Sequence, residues 1–215
     1  VKYLFEDMTG APAFLGDRAM VEGFMKNGYT EELARQRYKT GCNWCALPGI
    51  EYTLNDVVKI NMVKVFDVAF WEMMEDRETT PSVARLWELF DKHMGIAVQA
   101  IKDSVDFHMD HMYKVLPELA LNFMCHGPIE RGLDISHGGV DYYNICCDGA
   151  GLGVVADSFA SLEQRVEREG RYTWEEMAGY LKANWEGAED VRLLMKRVPR
   201  YGSGGSRADD YAVKI

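Results

Sequence analysis

Ile129-Glu130-Arg131-Gly132-Leu133-Asp134-Ile135-Ser136-His137-Gly138-Gly139-Val140-Asp141-Tyr142-Tyr143-Asn144 is where the chain changes character. Upstream, apolar residues recur at three- and four-residue steps. Here seven glycines fall between Gly127 and Gly153, and tight backbone turns are expected. The aromatic and β-branched run Tyr142-Tyr143-Asn144-Ile145-Cys146 reads as a strand. His126 and His137 lie in the same stretch, where a hydrogen-bonded structural role suits each better than catalysis.

Working toward the N-terminus, residues 18–27 and 31–38 read as short helices. Thr30 opens the second, and Glu31 and Glu32 in its first turn suit the helix dipole. Gly41 to Gly49 reads as loop. From Asn55, the spacing of Val58, Met62, Val65, Phe66, Ala69 and Met73 predicts an amphipathic helix to about Glu75, capped by Asn55 or Thr53. Thr80-Pro81 offers an N-cap with proline at the first helical position. Leu86, Phe90, Met94, Val98, Ile101 and Val105 carry that helix to about Tyr113.

A short helix after Pro117 ends near Met124. Beyond the glycines, Val155, Phe159, Leu162 and Val166 predict a helix from Leu152 to about Arg168. Thr173-Trp174-Glu175-Glu176 is a capping box that opens the last clear helix, and Gly202 to Ser206 reads as a flexible loop. The first half is therefore helix-rich, the second alternates helices with short strands, and the class is α/β. No repeat, linker or low-complexity tract interrupts it.

The 215 residues suffice for one sizeable core or part of a larger one. Apolar residues at 47%, with 12 Met and five Trp, argue for extensive burial. A net charge of -10 repels a phosphate backbone and excludes nucleic acid as a partner. No apolar run is long enough to span a bilayer and no signal-peptide succession opens the chain, so a cytoplasmic protein without membrane contact is expected. Five cysteines, an odd count, point to reduced thiols. Val1 stands where an initiator Met would, and Ile215 follows Tyr211-Ala212-Val213-Lys214 without a turn, so the expectation is a domain truncated at both ends.

Gly41-Cys42-Asn43-Trp44-Cys45 holds a lone C-x-x-C. A structural zinc site needs four ligands, and the adjacent Cys146 and Cys147 make a poor second pair, so no metal ligand set is assigned. Two thiols in a core loop explain the pair as readily. His108 and His111, with Asp106 and Asp110, have a spacing that permits metal binding, but the polar face of a long helix accounts for them. Trp71, Met73, Met74 and Trp87 read as core. Gly149-Ala150-Gly151-Leu152-Gly153 before a helix has the backbone of an anion cradle, without the spacing or lysine of a P-loop.

Taken together, these segments resemble the pyruvate formate-lyase family of glycyl radical enzymes from about Gly41 to Ile215. The quoted stretch is similar to the family's E-x-G-x-D-x-T-x-G-G-A-x-Y-N strand and turn. Val155-Ala156-Asp157-Ser158-Phe159-Ala160-Ser161-Leu162 is similar to its V-A-D-S-L-A-A-I helix, and Pro199-Arg200-Tyr201-Gly202 with Ala208-Asp209-Asp210 to its P-K-Y-G-N-D run. The resemblance implies that residues 1–215 are a partial catalytic domain, part of a ten-stranded β/α barrel whose cysteine loop projects into the centre. It implies Cys42 as the catalytic cysteine, which becomes a thiyl radical and takes hydrogen from a small organic substrate to make or break a C–C or C–X bond.

No cofactor is expected to bind directly. The glycyl radical would lie outside this sequence, installed by an S-adenosylmethionine iron–sulfur activating enzyme in anaerobic metabolism, and the full-length protein is expected to be a homodimer. Many members carry Glu two residues after the cysteine, where this chain has Trp44. Pyruvate formate-lyase has two adjacent cysteines, whereas Cys45 stands three residues from Cys42, which speaks against acyl transfer to coenzyme A. Trp44, Cys45 and Glu51 are the expected substrate-side residues, Glu51 as a carboxylate from the same loop and Trp44 as apolar lining. Two other readings stay open: a small metal- or redox-binding protein built on Cys42 and Cys45, and a non-catalytic domain of the same fold.

Overall fold

The computed structural model describes residues 15–41 and 44–215. Two compact units divide the chain, Val1–Val57 with Ser104–Cys147 and Val58–Asp103 with Asp148–Ile215. Among the described residues the α-helices are α1 (Asp17–Lys26), α2 (Glu31–Gln36), α3 (Met62–Glu75), α4 (Val83–Val115), α5 (Leu119–Asn122), α6 (Pro128–Arg131), α7 (Leu152–Leu162, continued by a π-helical stretch Glu163–Arg168), α8 (Trp174–Lys182), α9 (Glu189–Lys196) and α10 (Arg207–Lys214). Strands β1 (Tyr38–Thr40) and β2 (Trp44–Ala46) pair with each other, as do β3 (Glu51–Asn61) and β4 (Tyr142–Ala150).

The helix expected from Asn55 begins instead at Met62, because Asn55–Asn61 belongs to β3. Val57, Val58 and Ile60 are β-branched and their strand pairs with β4, which outweighs the helical spacing. Asn61 is the actual cap, its side chain accepting from the Lys64 N–H at 3.1 Å. Likewise α4 starts at Val83, with Ser82 Oγ rather than Thr80 accepting from the Arg85 N–H. The second half carries β4 as its strand and two helices, α9 and α10, beyond the expected last one. Ser206 ends the Gly202–Ser206 loop as a capping residue for α10, in a reciprocal pair with Asp209.

In the second unit the core centres on Phe159, which is fully buried among Phe70, Met73, Leu86, Phe90 and Met177. Its ring lies 5.0 Å from Phe66, 5.1 Å from Tyr211, 5.3 Å from Trp87 and 5.6 Å from Phe90, distances at which aromatic pairs add to burial. The apolar stripe of α4 is buried only at its start, through Val83, Leu86, Leu89 and Phe90, whereas Val98 is 53% exposed. Two of the quoted stretches meet in this unit: Asp157 accepts from the Tyr201 N–H at 2.7 Å and pairs with Arg200. Asp209 in turn accepts from the Gly202 N–H at 2.7 Å.

The glycines read as an anion cradle serve packing here. Gly151 has φ +93°, and a Cβ there would meet Val63 Cγ2 at 2.5 Å.

Within the first unit, Tyr52, Ile135 and Val140 form a small buried cluster. Asp134 organises it: one oxygen accepts from the Ser136 N–H and O–H, the other from the Glu118 N–H and Asn122 Nδ2. Burial pushes the Asp134 carboxyl up, but these hydrogen bonds outweigh it and hold the group below the usual carboxylate range.

Phe159→Ala is expected to cost about 3–5 kcal/mol, read as a lower urea midpoint at unchanged slope. A depressed carboxyl contributes stability above its unfolded value of about 3.9 and loses it as pH falls through the lower folded value. Asp134→Asn should therefore be less stable than the parent near neutrality, with the gap closing as pH drops below about 4. A pH-independent gap in chemical denaturation would contradict this.

Candidate active site

Strands β1 and β2 are antiparallel, with Tyr38 opposite Ala46, Lys39 opposite Cys45 and Thr40 opposite Trp44. The sequence between them is Gly41-Cys42-Asn43, and Cys42, the expected catalytic residue, lies with Asn43 outside the described residues. Gly41 has φ +55°, a left-handed conformation that disfavours a side chain. A Cβ at Gly41 would also lie 2.1 Å from Cε3 and Cζ3 of Trp44, so the half-buried indole rests directly against the glycine.

Cys45 is buried, and burial pushes its thiol up. Arg37 and Lys39 pull the other way, while the Glu51 carboxylate adds to the rise. The group is therefore a neutral thiol, unlike the thiolate of a nucleophilic or metal-binding cysteine.

The Cys45 carbonyl accepts from Asn144 Nδ2 at 3.2 Å. Just beyond β2, Glu51 is buried and its carboxylate closes the turn: Oε2 accepts from the Leu47 N–H at 3.0 Å and Oε1 from the Thr53 hydroxyl at 2.6 Å. Two further bonds tie the same turn to the rest of its unit, His126 N–H to Gly49 O at 2.8 Å and Tyr142 N–H to Ile50 O at 3.3 Å. Tyr29 stacks 4.9 Å from Tyr142, and burial followed by the Glu51 charge pushes its phenol up.

A cavity of about 350 Å³ lies beside the hairpin, lined by Thr40, Ala46, Glu51, Asn55, Cys125 and Ile135 among others. Asn55 Nδ2 points to Thr40 Oγ1 at 3.5 Å, and its buried Oδ1 has no partner among the described residues.

Of the expected substrate-side residues, Glu51 borders this cavity, Cys45 is buried in β2, and Trp44 covers Gly41. The sequence marks neither Asn144 nor Tyr29 as a site residue, and Asn55 reads there only as a helix cap. Asn144 could have been marked, because it is the last residue of the quoted family stretch.

His111 bonds to the Phe107 carbonyl at 2.7 Å and stacks on its ring, and His137 stacks on Tyr113 at 3.9 Å. Among the described residues no three His, Cys, Asp or Glu side chains converge as metal ligands, and no helix is long and apolar enough to cross a membrane.

Gly41→Ala should cost more than the 1–2 kcal/mol of a left-handed non-glycine residue, roughly, because the methyl also strikes the indole. Combining it with Trp44→Ala removes the collision. A double-mutant cycle by urea unfolding should show coupling above about 0.5 kcal/mol, and strict additivity would contradict the contact.

The family described as pyruvate formate lyase-like matches residues 1–215. A (2S)-3-sulfopropanediol dehydratase of Klebsiella oxytoca is 27% identical over 94% of this chain and 26% of its own length. A trans-4-hydroxy-L-proline dehydratase of Clostridioides difficile is 26% identical over 96% and 27%. The chain thus spans about a quarter of the length of these curated relatives. In fold it is similar to the B12-independent glycerol dehydratase of Clostridium butyricum, with a TM-score of 0.85 at 20% identity over 95% of this chain and 27% of that one. It is also similar to a glycyl radical enzyme of Archaeoglobus fulgidus, with a TM-score of 0.80 at 22% identity over 91% and 26%. With a match over its whole length and this fold, the chain belongs to the pyruvate formate lyase-like family of glycyl radical enzymes.

Proposed function

We propose that these residues are one portion of a longer catalytic polypeptide in which Cys42 is the hydrogen-atom relay. The observation that carries the reading is that the sequence Gly41-Cys42-Asn43 connects two paired strands, β1 and β2, in a chain matching the family throughout. The glycyl radical characteristic of the family supplies the unpaired electron. Its Arg-Val-x-Gly-Tyr type of run does not occur in this sequence, so the radical is assigned to another segment, charged by an S-adenosylmethionine iron–sulfur enzyme.

Cys42 would then give the hydrogen atom of its S–H bond to the glycyl α-carbon, where a C–H bond forms, and become a thiyl. The thiyl takes a hydrogen atom from a substrate carbon: the C–H bond breaks, the S–H bond forms, and the unpaired electron stays on carbon. A C–C or C–X bond is made or broken, and the thiol returns its hydrogen to the product radical. This exchange needs a protonated thiol held away from water. The neutral state of Cys45 supports such surroundings in the same hairpin.

The substrate class follows from Trp44. A carboxylate at that position can take up a proton during elimination, whereas an indole has an apolar face and one N–H donor but no group to accept the proton. The nearest described carboxylate on the loop, Glu51, already accepts from Leu47 and Thr53. We assign it to holding the turn and bordering the substrate cavity. The activities for which two relatives are named, dehydration of a sulfonated diol and of hydroxyproline, share cleavage of a C–O bond. This chain is read as acting on a small molecule that presents an apolar or aromatic flank to Trp44, within a homodimeric enzyme.

The full-length polypeptide, activated without oxygen, should show an organic radical by electron paramagnetic resonance. Cys42→Ser should keep that signal and lose turnover. Turnover by the serine variant would overturn the assignment.

A further inference from the structure

We propose that Asn144 is a positioning residue for the radical cysteine. The inference rests on the reading of Cys42 given above. Its own basis is the bond from Asn144 Nδ2 to the Cys45 carbonyl at 3.2 Å.

Both ends of the Asn144 amide are engaged: Nδ2 donates to Cys45, and Oδ1 accepts from the Cys146 thiol at 3.7 Å. The amide therefore cannot rotate without losing one contact. It reaches across 99 residues of sequence to the strand that directly follows Cys42 and Asn43. Two positions earlier on β4, the Tyr142 N–H bonds to Ile50 O. The start of β4 thus grips the cysteine loop at two carbonyls, Cys45 before the Leu47–Glu51 turn and Ile50 within it.

Of the two grips, only the one at Cys45 is made by a side chain, so only it is fixed by residue identity. A thiyl can take hydrogen only from a carbon within about 3–3.5 Å and correctly aligned, and a shift of about 1 Å can cost 10²-fold. Holding the carbonyl three residues beyond Cys42 limits such a shift.

The test uses the full-length, activated enzyme, with turnover normalised to the amount of glycyl radical per chain. Asn144→Asp keeps the shape but puts an acceptor opposite the Cys45 carbonyl. Turnover per radical should fall about ten- to a hundred-fold with KM moving far less, and the isotope effect on a substrate deuterated at the abstracted position should rise as hydrogen transfer becomes rate-limiting. Asn144→Gln, which keeps the donor, should recover part of the rate. Asn144→Ala adds no charge and should follow Asp.

Wild-type turnover per radical in Asp and Ala overturns the proposal. So does a lower rate with an unchanged isotope effect, the mark of mere loss of folded protein. Cys42→Ser run alongside separates the two layers: if it is active the parent reading fails, and if it is inactive while Asn144→Asp is unaffected only this inference fails.

Discussion

Asp134 accepts hydrogen bonds from the Ser136 N–H and O–H, the Glu118 N–H and the Asn122 amide, and the first unit is built outward from that carboxylate. Backbone N–H groups taken from water need partners, and one half-buried acceptor with four donors converts a glycine-rich segment into a defined turn at Ile135–Gly139. The turn delivers Tyr142 and Asn144 at the start of β4. Those two residues take hold of Ile50 and Cys45, and so of the segment that follows Cys42. Fold and chemistry are therefore linked through hydrogen bonds to main chain, with little of the linkage resting on apolar contact.

Electrostatics around the hairpin favour uncharged forms. Burial pushes up both the Cys45 thiol and the Tyr29 phenol, and the buried Glu51 charge adds to each. Such surroundings suit transfer of a hydrogen atom, in which no net charge develops, better than nucleophilic attack, which begins from a thiolate. Trp44 adds an indole to the same hairpin, two residues after Cys42 in the sequence. The indole also imposes Gly41, since no side chain fits between the two.

Much of this was legible in the sequence because the signals were local. Thr30, Thr173 and the apolar stripes around Phe90 and Phe159 announce helices through spacing and caps that act within a few residues. The family stretches were legible for a related reason. Glu130, Asp134, Asp157 and Asp209 all accept backbone N–H groups, and a turn closed by a carboxylate needs that residue at that place.

What escaped was set by distant partners. Residues 55–61 have helical spacing yet form a strand because β4 is there to pair with them. The roles of Asn144 and Glu51 depend on the Cys45 and Leu47 main chain, which no pattern in the sequence announces. The C-x-x-C was uninformative by itself, and only its place after β1 and before β2 gives Cys42 a setting.

The central claim is that this hydrogen-bonded frame presents Cys42 to a substrate carbon. A crystal structure of the full-length protein with substrate bound tests it most directly. The account predicts Cys42 Sγ within about 3.5 Å of a hydrogen-bearing substrate carbon, with the Asn144 bond to the Cys45 carbonyl intact. A Cys42 sulfur that ligates a metal, or that packs among apolar side chains away from the substrate, would contradict it.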